Sequence, residues 1–248
     1  MRQYGLIGKR LGHSFSQRYF EEKFATLGRF DCRYNLYELP SLDGFREFVD
    51  VVPDLMGLNV TIPYKQAVMP LLDELDPEAE AVGAVNTVRV WREDGKLRLA
   101  GYNTDVEGFR RSLAGHPLPH RALVLGTGGA AAAVTYVLRQ WGVEYKMVSR
   151  NPSEGQLGYG EITPALLREW PWLINCTPVG MCPEENTCLS LPYEALSEHN
   201  FLYDLVYNPE ETLFLKRGRE RGALTQNGLR MLHLQADAAW EIWNLSRR

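Results

Sequence analysis

Ala122-Leu123-Val124-Leu125-Gly126-Thr127-Gly128-Gly129-Ala130-Ala131 joins a short apolar run to a glycine loop and then to a helix-forming segment. The apolar run 122–125 has the length and character of a buried strand. Residues 130–141 carry Val134, Val137, Leu138 and Trp141 at helical spacing. Gly126 to Ala131 matches G-x-G-x-x-A in strand–loop–helix context, the setting a dinucleotide fingerprint requires. The glycines let backbone approach a pyrophosphate, and the helix start offers unpaired N–H groups and positive dipole. Another strand, 144–149, follows, so the stretch reads as a β-α-β unit rather than an ordinary turn.

Outward from this unit, apolar runs alternate with helix-period runs, which predicts an α/β fold. Upstream, strands are expected at 4–7, 35–39 and 55–62, the last ended by Pro63. Helices are expected at 17–27, with Phe20, Phe24 and Leu27 as the apolar stripe, and at 64–72, where Pro70 threatens the end. Segments 85–91 and 96–102 flank Asp94-Gly95, a hairpin signal. Asn103-Thr104-Asp105 opens a helix with Val106, Phe109 and Leu113 on one face. Downstream, 172–175 and 201–205 are strand candidates and 229–245 is a closing helix. The expected division is a first domain of 1–104 plus 228–248 and a dinucleotide domain of 105–227.

Composition narrows the class. The chain has 248 residues, 45% hydrophobic and 23% charged, with formal net charge −4. That suits one large or two small globular domains. No basic stripe suggests nucleic acid, and no apolar run approaches the roughly 20 residues that span a bilayer. The opening MRQYGLIGKR has no apolar core of a signal peptide. Cys32, Cys176, Cys182 and Cys188 form no C-x-x-C pair, and no histidine spacing suggests a metal. A reduced, cytoplasmic setting is expected.

Several polar residues stand where chemistry could use them, each with a plainer structural role beside it. The second strand of a dinucleotide unit ends in Asp or Glu when NAD is bound; here Ser149-Arg150 stands there. An arginine fork suits a 2′-phosphate, so NADP is favoured, although an exposed arginine at a strand end is common and Glu154 nearby works against a strong phosphate site. Lys65 sits at a helix start, unfavourable for a cation. Partial burial and the helix field would lower its pKa, as a general acid–base needs; the plain alternative is a lysine reaching water. Asp105 reads equally as part of an N-cap cluster. Asn86, inside an apolar run, needs partners that backbone or a polar substrate could supply. Ser14 and Ser16 flank Phe15 before the first helix, as caps or as carboxylate ligands. Gln235 shares a helical face with Met231, Ala238 and Ile242, so it has a buried partner or lines a cavity.

Taken in order, Ser14-Phe15-Ser16, NVTIPYK at 59–65, GAVNT at 83–87, GYNTD at 101–105, GTGGAA at 126–131, INCTPVGM at 174–181, YDLVYNP at 203–209 and NGLRMLHLQA at 227–236 together resemble the shikimate dehydrogenase family over nearly the whole chain. The lysine and Asn-Thr-Asp motifs are specific to that family; the glycine loop is generic. The resemblance implies an N-terminal α/β substrate domain and a C-terminal Rossmann-like domain with a cleft between them. It also implies NADPH-dependent, reversible reduction of 3-dehydroshikimate to shikimate in aromatic biosynthesis. By motif match, Ser14 and Ser16 would hold the substrate carboxylate. Asn59, Thr61, Lys65, Asn86, Asp105, Tyr207 and Gln235 would contact the substrate, with Lys65 and Asp105 as the catalytic pair. Gly126, Thr127, Gly128, Gly129, Ala130, Ser149, Arg150, Thr177, Leu205 and Gly228 would contact the cofactor. No metal, membrane or nucleic acid is implied, and the protein would be a monomer or homodimer.

Three positions depart from the family pattern. Gln17 replaces the proline that usually follows the second serine. Ser149-Arg150-Asn151 replaces Asn-Arg-Thr, keeping the arginine. The segment between Arg150 and Asn175 is short, so an element of the cofactor domain is expected to be trimmed. Two rival readings stand: an NAD(P)-dependent quinate/shikimate dehydrogenase, which in its NAD-using form would carry an acid near Ser149-Arg150, and a non-catalytic NADP-binding regulator, which has no need for both Lys65 and Asp105.

Overall fold

Tyr4 to Gly8 are all buried, so the strand they form, β1 (Arg2–Gly8), is covered on both faces rather than on one. The computed structural model describes residues 1–12 and 15–245, and β1 belongs to the first of two units, Met1–Gly108 with His233–Arg248. There α1 (Phe15–Thr26), β2 (Cys32–Glu38), α2 (Phe45–Val51), β3 (Leu55–Val60), α3 (Tyr64–Ala67), β4 (Glu74–Leu75), α4 (Pro77–Val82), β5 (Thr87–Glu93) and β6 (Lys96–Tyr102) follow, before α5 (Thr104–Ser112) leads out of the unit. The six strands lie in the order β2-β1-β3-β5-β6-β4. β1 pairs parallel with β2 and β3, and β5 pairs antiparallel with β3 and β6, so Asp94-Gly95 turns the expected hairpin. Register places Asn59 opposite Thr87, and Thr87 opposite Tyr102.

Two apolar layers cover this sheet. Ile7, Phe45, Val49, Leu58, Val60, Val88 and Leu99 fill one. Tyr4, Phe20, Phe24, Tyr34, Ala236, Ala239 and Trp243 fill the other. The closing helix of the chain supplies the last three of these; Trp243 donates from Nε1 to the Val88 carbonyl at 3.0 Å and stacks on Tyr4. The expected stripe on α1 holds at Phe20 and Phe24, but Leu27 is 50% exposed because the helix ends at Thr26. The helix expected at 64–72 is a single turn, Tyr64–Ala67, with a separate 3₁₀ turn at Met69–Leu71 containing Pro70. Proline cannot donate the backbone bond that continuation needs.

The second unit, Phe109–Leu232, contains β7 (Arg121–Leu125), α6 (Gly129–Gln140), β8 (Glu144–Ser149), β9 (Leu157–Gly158), α7 (Pro164–Glu169), β10 (Trp172–Asn175), β11 (Phe201–Asp204), α8 (Leu213–Arg219) and β12 (Leu224–Gln226), and α9 (Leu229–Trp243) leads back to the first unit. Its sheet is parallel throughout, in the order β12-β11-β10-β7-β8-β9. Strand order reverses direction between β7 and β10, the topological switch point of a doubly wound sheet. The short segment between Arg150 and Asn175 retains a two-residue strand and one six-residue helix. Leu123, Leu125, Val148, Leu167, Leu173, Leu202 and Phe214 form the core.

Candidate active site

The polar end of the first unit is assembled where β3 and β6 finish and β5 begins. Asn103 caps α5, accepting from Val106 N–H at 3.3 Å, so Asp105 is released from the capping role and sits in the first turn. Its Oδ2 accepts from Lys65 Nζ at 2.6 Å, with side chains only 17% (Lys65) and 10% (Asp105) exposed. Lys65 is further tied through its carbonyl, which accepts from Val85 N–H at 2.7 Å. Because α3 is one turn long, the helix field expected at Lys65 is small. The carboxylate is its neighbour of consequence.

Beside this pair lies a buried polar network. Asn86 is 3% exposed. Its Oδ1 accepts from Thr104 N–H at 2.7 Å, and the Thr104 and Thr87 hydroxyls lie 3.1 and 3.2 Å away. Its Nδ2 points to Gln235 Oε1 at 3.5 Å, which explains the polar residue within an apolar helical face. Asn59 Nδ2 donates to Thr87 Oγ1 at 3.2 Å, and Asn59 Oδ1 accepts from Tyr34 at 2.8 Å. Ser16 hydrogen-bonds the same Tyr34 hydroxyl, whose ionisation burial pushes well up. Thr61 is half-buried just beyond β3, its N–H donating to Ile7 O. Thus Ser16, Asn59, Lys65, Asn86, Asp105 and Gln235 share the first unit with Thr61. Tyr207 belongs to the second, and Ser14 lies outside the described residues. Gln17, at the family's proline position, is placed with Nε2 3.5 Å from the Tyr34 carbonyl.

Three members of this network carried no expected role: Tyr34, Thr87 and Thr104. The threonines lie inside the GAVNT and Asn-Thr-Asp motifs, so position could have found them. Tyr34 had no signal, since a strand aromatic reads as core.

The second unit presents a cradle for an anion. Gly126 has φ 114°, and a Cβ there would lie 2.9 Å from Thr177 Cγ2. Only glycine permits this contact between the ends of β7 and β10. Thr127 and Gly128 are exposed, Gly128 caps α6 without a side-chain bond, and a Cβ on it would meet nothing within 4 Å. A helix start leaves its first-turn N–H groups without intrahelical partners, so Gly129 and Ala130 at the start of α6 offer donors of the kind a pyrophosphate requires. Ser149 Oγ accepts from Asn151 N–H at 3.2 Å, and Arg150 is exposed with no ion pair among the described residues. Thr177 is held by Asn175 Oδ1, which takes its N–H at 2.9 Å and its hydroxyl at 2.7 Å. Asn175 in turn donates to Asp204 at 2.9 Å. Gly228 rests against Leu205; a Cβ there would be 2.1 Å from the Leu205 carbonyl oxygen. These features fit a dinucleotide at the switch point. No group of three or more potential metal ligands occurs among the described residues, nor does any helix there have the length and apolarity to cross a membrane.

Known proteins resemble this chain over nearly its whole length. Residues 6–88 match the family model for the shikimate dehydrogenase substrate binding domain. The chain is 35% identical to the shikimate dehydrogenase (NADP(+)) of Caldicellulosiruptor saccharolyticus over 98% of its own length and 92% of the relative's. Among solved structures, shikimate 5-dehydrogenase from Thermus thermophilus, in complex with NADP(H) and shikimate, superposes with TM-score 0.84 at 33% identity, covering 98% of this chain and 94% of that one. Quinate dehydrogenase from Corynebacterium glutamicum, in complex with NAD, gives TM-score 0.82 at 28% identity, with 98% and 93% covered. With near-complete coverage at this identity, the chain belongs to the shikimate dehydrogenase family.

Proposed function

We propose that this protein is an NADP-dependent oxidoreductase that reversibly reduces 3-dehydroshikimate to shikimate in aromatic amino acid biosynthesis. The observation that carries the mechanism is the Lys65–Asp105 pair, 2.6 Å apart and largely shielded from water, beside buried amides and hydroxyls suited to a polyhydroxylated ring. NADPH, when bound, supplies hydride to the ketone carbon. Lys65 Nζ delivers a proton to the ketone oxygen in reduction and takes it back from the alcohol in oxidation. The Asp105 carboxylate holds the ammonium in place and accepts from a neighbouring ring hydroxyl. Asn86 and Gln235 bind ring oxygens, Ser16 serves the carboxylate together with Ser14, and Asn59, Thr61 and Tyr207 complete the substrate contacts. We assign the substrate domain to 1–104 plus 228–248 and the cofactor domain to 105–227.

On the cofactor side, the loop Gly126–Ala130 takes the pyrophosphate, Ser149 and Arg150 the adenosine 2′-phosphate, and Thr177, Leu205 and Gly228 the nicotinamide end. Arg150 at the end of β8, with no acid there, supports NADP over NAD. A cytoplasmic monomer or homodimer is the matching assembly, and the four free cysteines suit a reducing compartment.

Initial rates of shikimate oxidation, followed by absorbance of reduced nicotinamide with NADP⁺ and NAD⁺ side by side and quinate as second substrate, test this reading. Turnover with shikimate and NADP⁺ is expected. No turnover with either cofactor would overturn it in favour of a non-catalytic binder, and turnover mainly with NAD⁺ would overturn the Arg150 assignment alone.

A further inference from the structure

We infer that Asn175 is a positioning residue for the dinucleotide: its amide, anchored on Asp204, carries the order of the sheet one residue beyond β10 and β11 and so seats Thr177 against Gly126. The inference rests on the reading above that the glycine loop and Thr177 contact NADP.

β10 and β11 end side by side, with Asn175 opposite Asp204. The last backbone bonds that tie these strand ends to their neighbours run from Cys176 N–H to the Leu125 carbonyl at 2.8 Å and from Leu205 N–H to the Asn175 carbonyl at 2.9 Å. One residue further, side chains take over. Thr177 N–H donates to Asn175 Oδ1 at 2.9 Å, and Val206 N–H donates to Asp204 Oδ1 at 3.0 Å. Each strand thus closes on a turn in which its last side chain catches the N–H two residues on. The two turns are joined, because Asn175 Nδ2 donates to the same Asp204 Oδ1 at 2.9 Å. Hydrogen-bond direction requires an amide at Asn175. Thr177 N–H only donates, so the atom facing it is an oxygen, and the other end of the amide, facing Asp204, is the NH₂ group. Leucine could do neither, and aspartate only the first. Both residues are fully buried, so water cannot substitute. Asn175 Oδ1 also accepts the Thr177 hydroxyl at 2.7 Å, and that hydroxyl accepts from Val179 N–H at 3.3 Å. The bond to Asn175 is the shorter of the two, and it acts together with the hold on the Thr177 backbone. Both turn the Thr177 oxygen inward. Its methyl then faces Gly126, where a Cβ would lie 2.9 Å from it. The first glycine of the loop therefore rests against a side chain whose rotamer Asn175 sets.

Asn175→Leu keeps a similar volume and removes both ends of the amide; Asp204→Asn keeps an oxygen for Asn175 Nδ2 and Val206 N–H. Titration calorimetry with NADP⁺ and with adenosine 2′-monophosphate, which reaches only the Arg150 end, separates positioning from support of the fold when each variant is also melted. The leucine variant is expected to raise Kd for NADP⁺ about tenfold, the effect of two lost bonds at Thr177, with Kd for adenosine 2′-monophosphate unchanged. Asp204→Asn is expected to keep Kd for NADP⁺ within about twofold of wild type, since both N–H groups it receives keep an oxygen. A folded leucine variant that melts lower yet binds NADP⁺ as tightly as wild type overturns the inference. So does an equal loss for both ligands, or an asparagine variant as weak as leucine. Should Asn175→Leu not fold, Thr177→Val, which keeps the shape and removes the hydroxyl, is expected to raise Kd for NADP⁺ about threefold, and an unchanged value there overturns the inference equally. Wild-type protein that binds no NADP⁺ would sink the cofactor reading and this inference together, whereas a wild type that binds NADP⁺ with an indifferent Asn175→Leu sinks this inference alone.

Discussion

Lys65 and Asp105 are 40 residues apart in the chain and 2.6 Å apart from Nζ to Oδ2. Two charges so placed and so little exposed hold each other more firmly than a surface pair would. Lys65→Ala and Asp105→Asn are each expected to lower kcat by about 10²–10⁴, the usual worth of a positioned proton donor. Lys65→Ala should leave shikimate affinity within a few-fold of wild type, since the amides and Ser16 remain. Titration calorimetry beside initial rates checks both halves. A lysine-free variant that still turns over at wild-type speed would remove Lys65 from the chemistry.

Arg150 is exposed at the end of β8 with no ion-pair partner among the described residues, so its charge is available to a ligand. Arg150→Ala is expected to raise KM for NADP⁺ by roughly tenfold to a hundredfold, the range for a lost charge-assisted bond, with KM for NAD⁺ little changed. Added salt should weaken NADP⁺ binding to the wild type more than to the variant. Equal losses with both cofactors would mean that Arg150 stacks on the adenine rather than reading the phosphate.

Much of the second unit was legible because its cues are local. Four apolar residues, a glycine loop and a helix stripe predict β7 and α6 to within a residue, and 144–149 and 172–175 match β8 and β10. The small elements α2, β4, α4, β9, α7, α8 and β12 went unassigned, since none is longer than seven residues and tertiary packing rather than periodicity makes them. In the first unit, Lys65, Asn86 and Asp105 each looked ordinary alone, and their meeting depends on pairing of β3, β5 and β6. Long-range pairing also hides Tyr34, whose hydroxyl becomes part of the network only when β2 lies beside β1. Asp105 was the clearest ambiguity: the cap of α5 is Asn103, two residues earlier.

Gly228 adjoins the Leu205 carbonyl so closely that any side chain must displace backbone. Gly228→Ala is expected to cost about 1–3 kcal/mol, typical of overpacking, and to raise KM for NADP⁺, because Leu205 moves with it. Shikimate binding to the cofactor-free protein should be unchanged. A variant that melts lower yet keeps its KM for NADP⁺ would show that Leu205 has no part in holding the cofactor.

Asp204 is fully buried at the end of β11, and desolvation pushes its carboxyl up to about 7, against the partial pull of bonds from Thr212, Val206 N–H and Asn175. Unfolded, the same group titrates near its ordinary value, about 4. Between about 4 and 7 the folded protein keeps a proton that the unfolded chain has released. The resulting stabilisation is fully present below pH 4 and is lost as pH rises through 7. The total is roughly 4 kcal/mol at 1.36 kcal/mol per unit, of which about 3 kcal/mol lies between pH 5 and pH 8. Asp204→Asn keeps an acceptor for Val206 and Asn175 but cannot titrate. Urea unfolding at pH 5 and pH 8 should show the wild type losing stability at the higher pH and the asparagine variant losing markedly less. Identical pH differences in the two proteins would mean that Asp204 ionises at its ordinary pH. Its bonds to Thr212 and Asn175, and through Asn175 to Thr177, would then join a carboxylate that is charged throughout the neutral range.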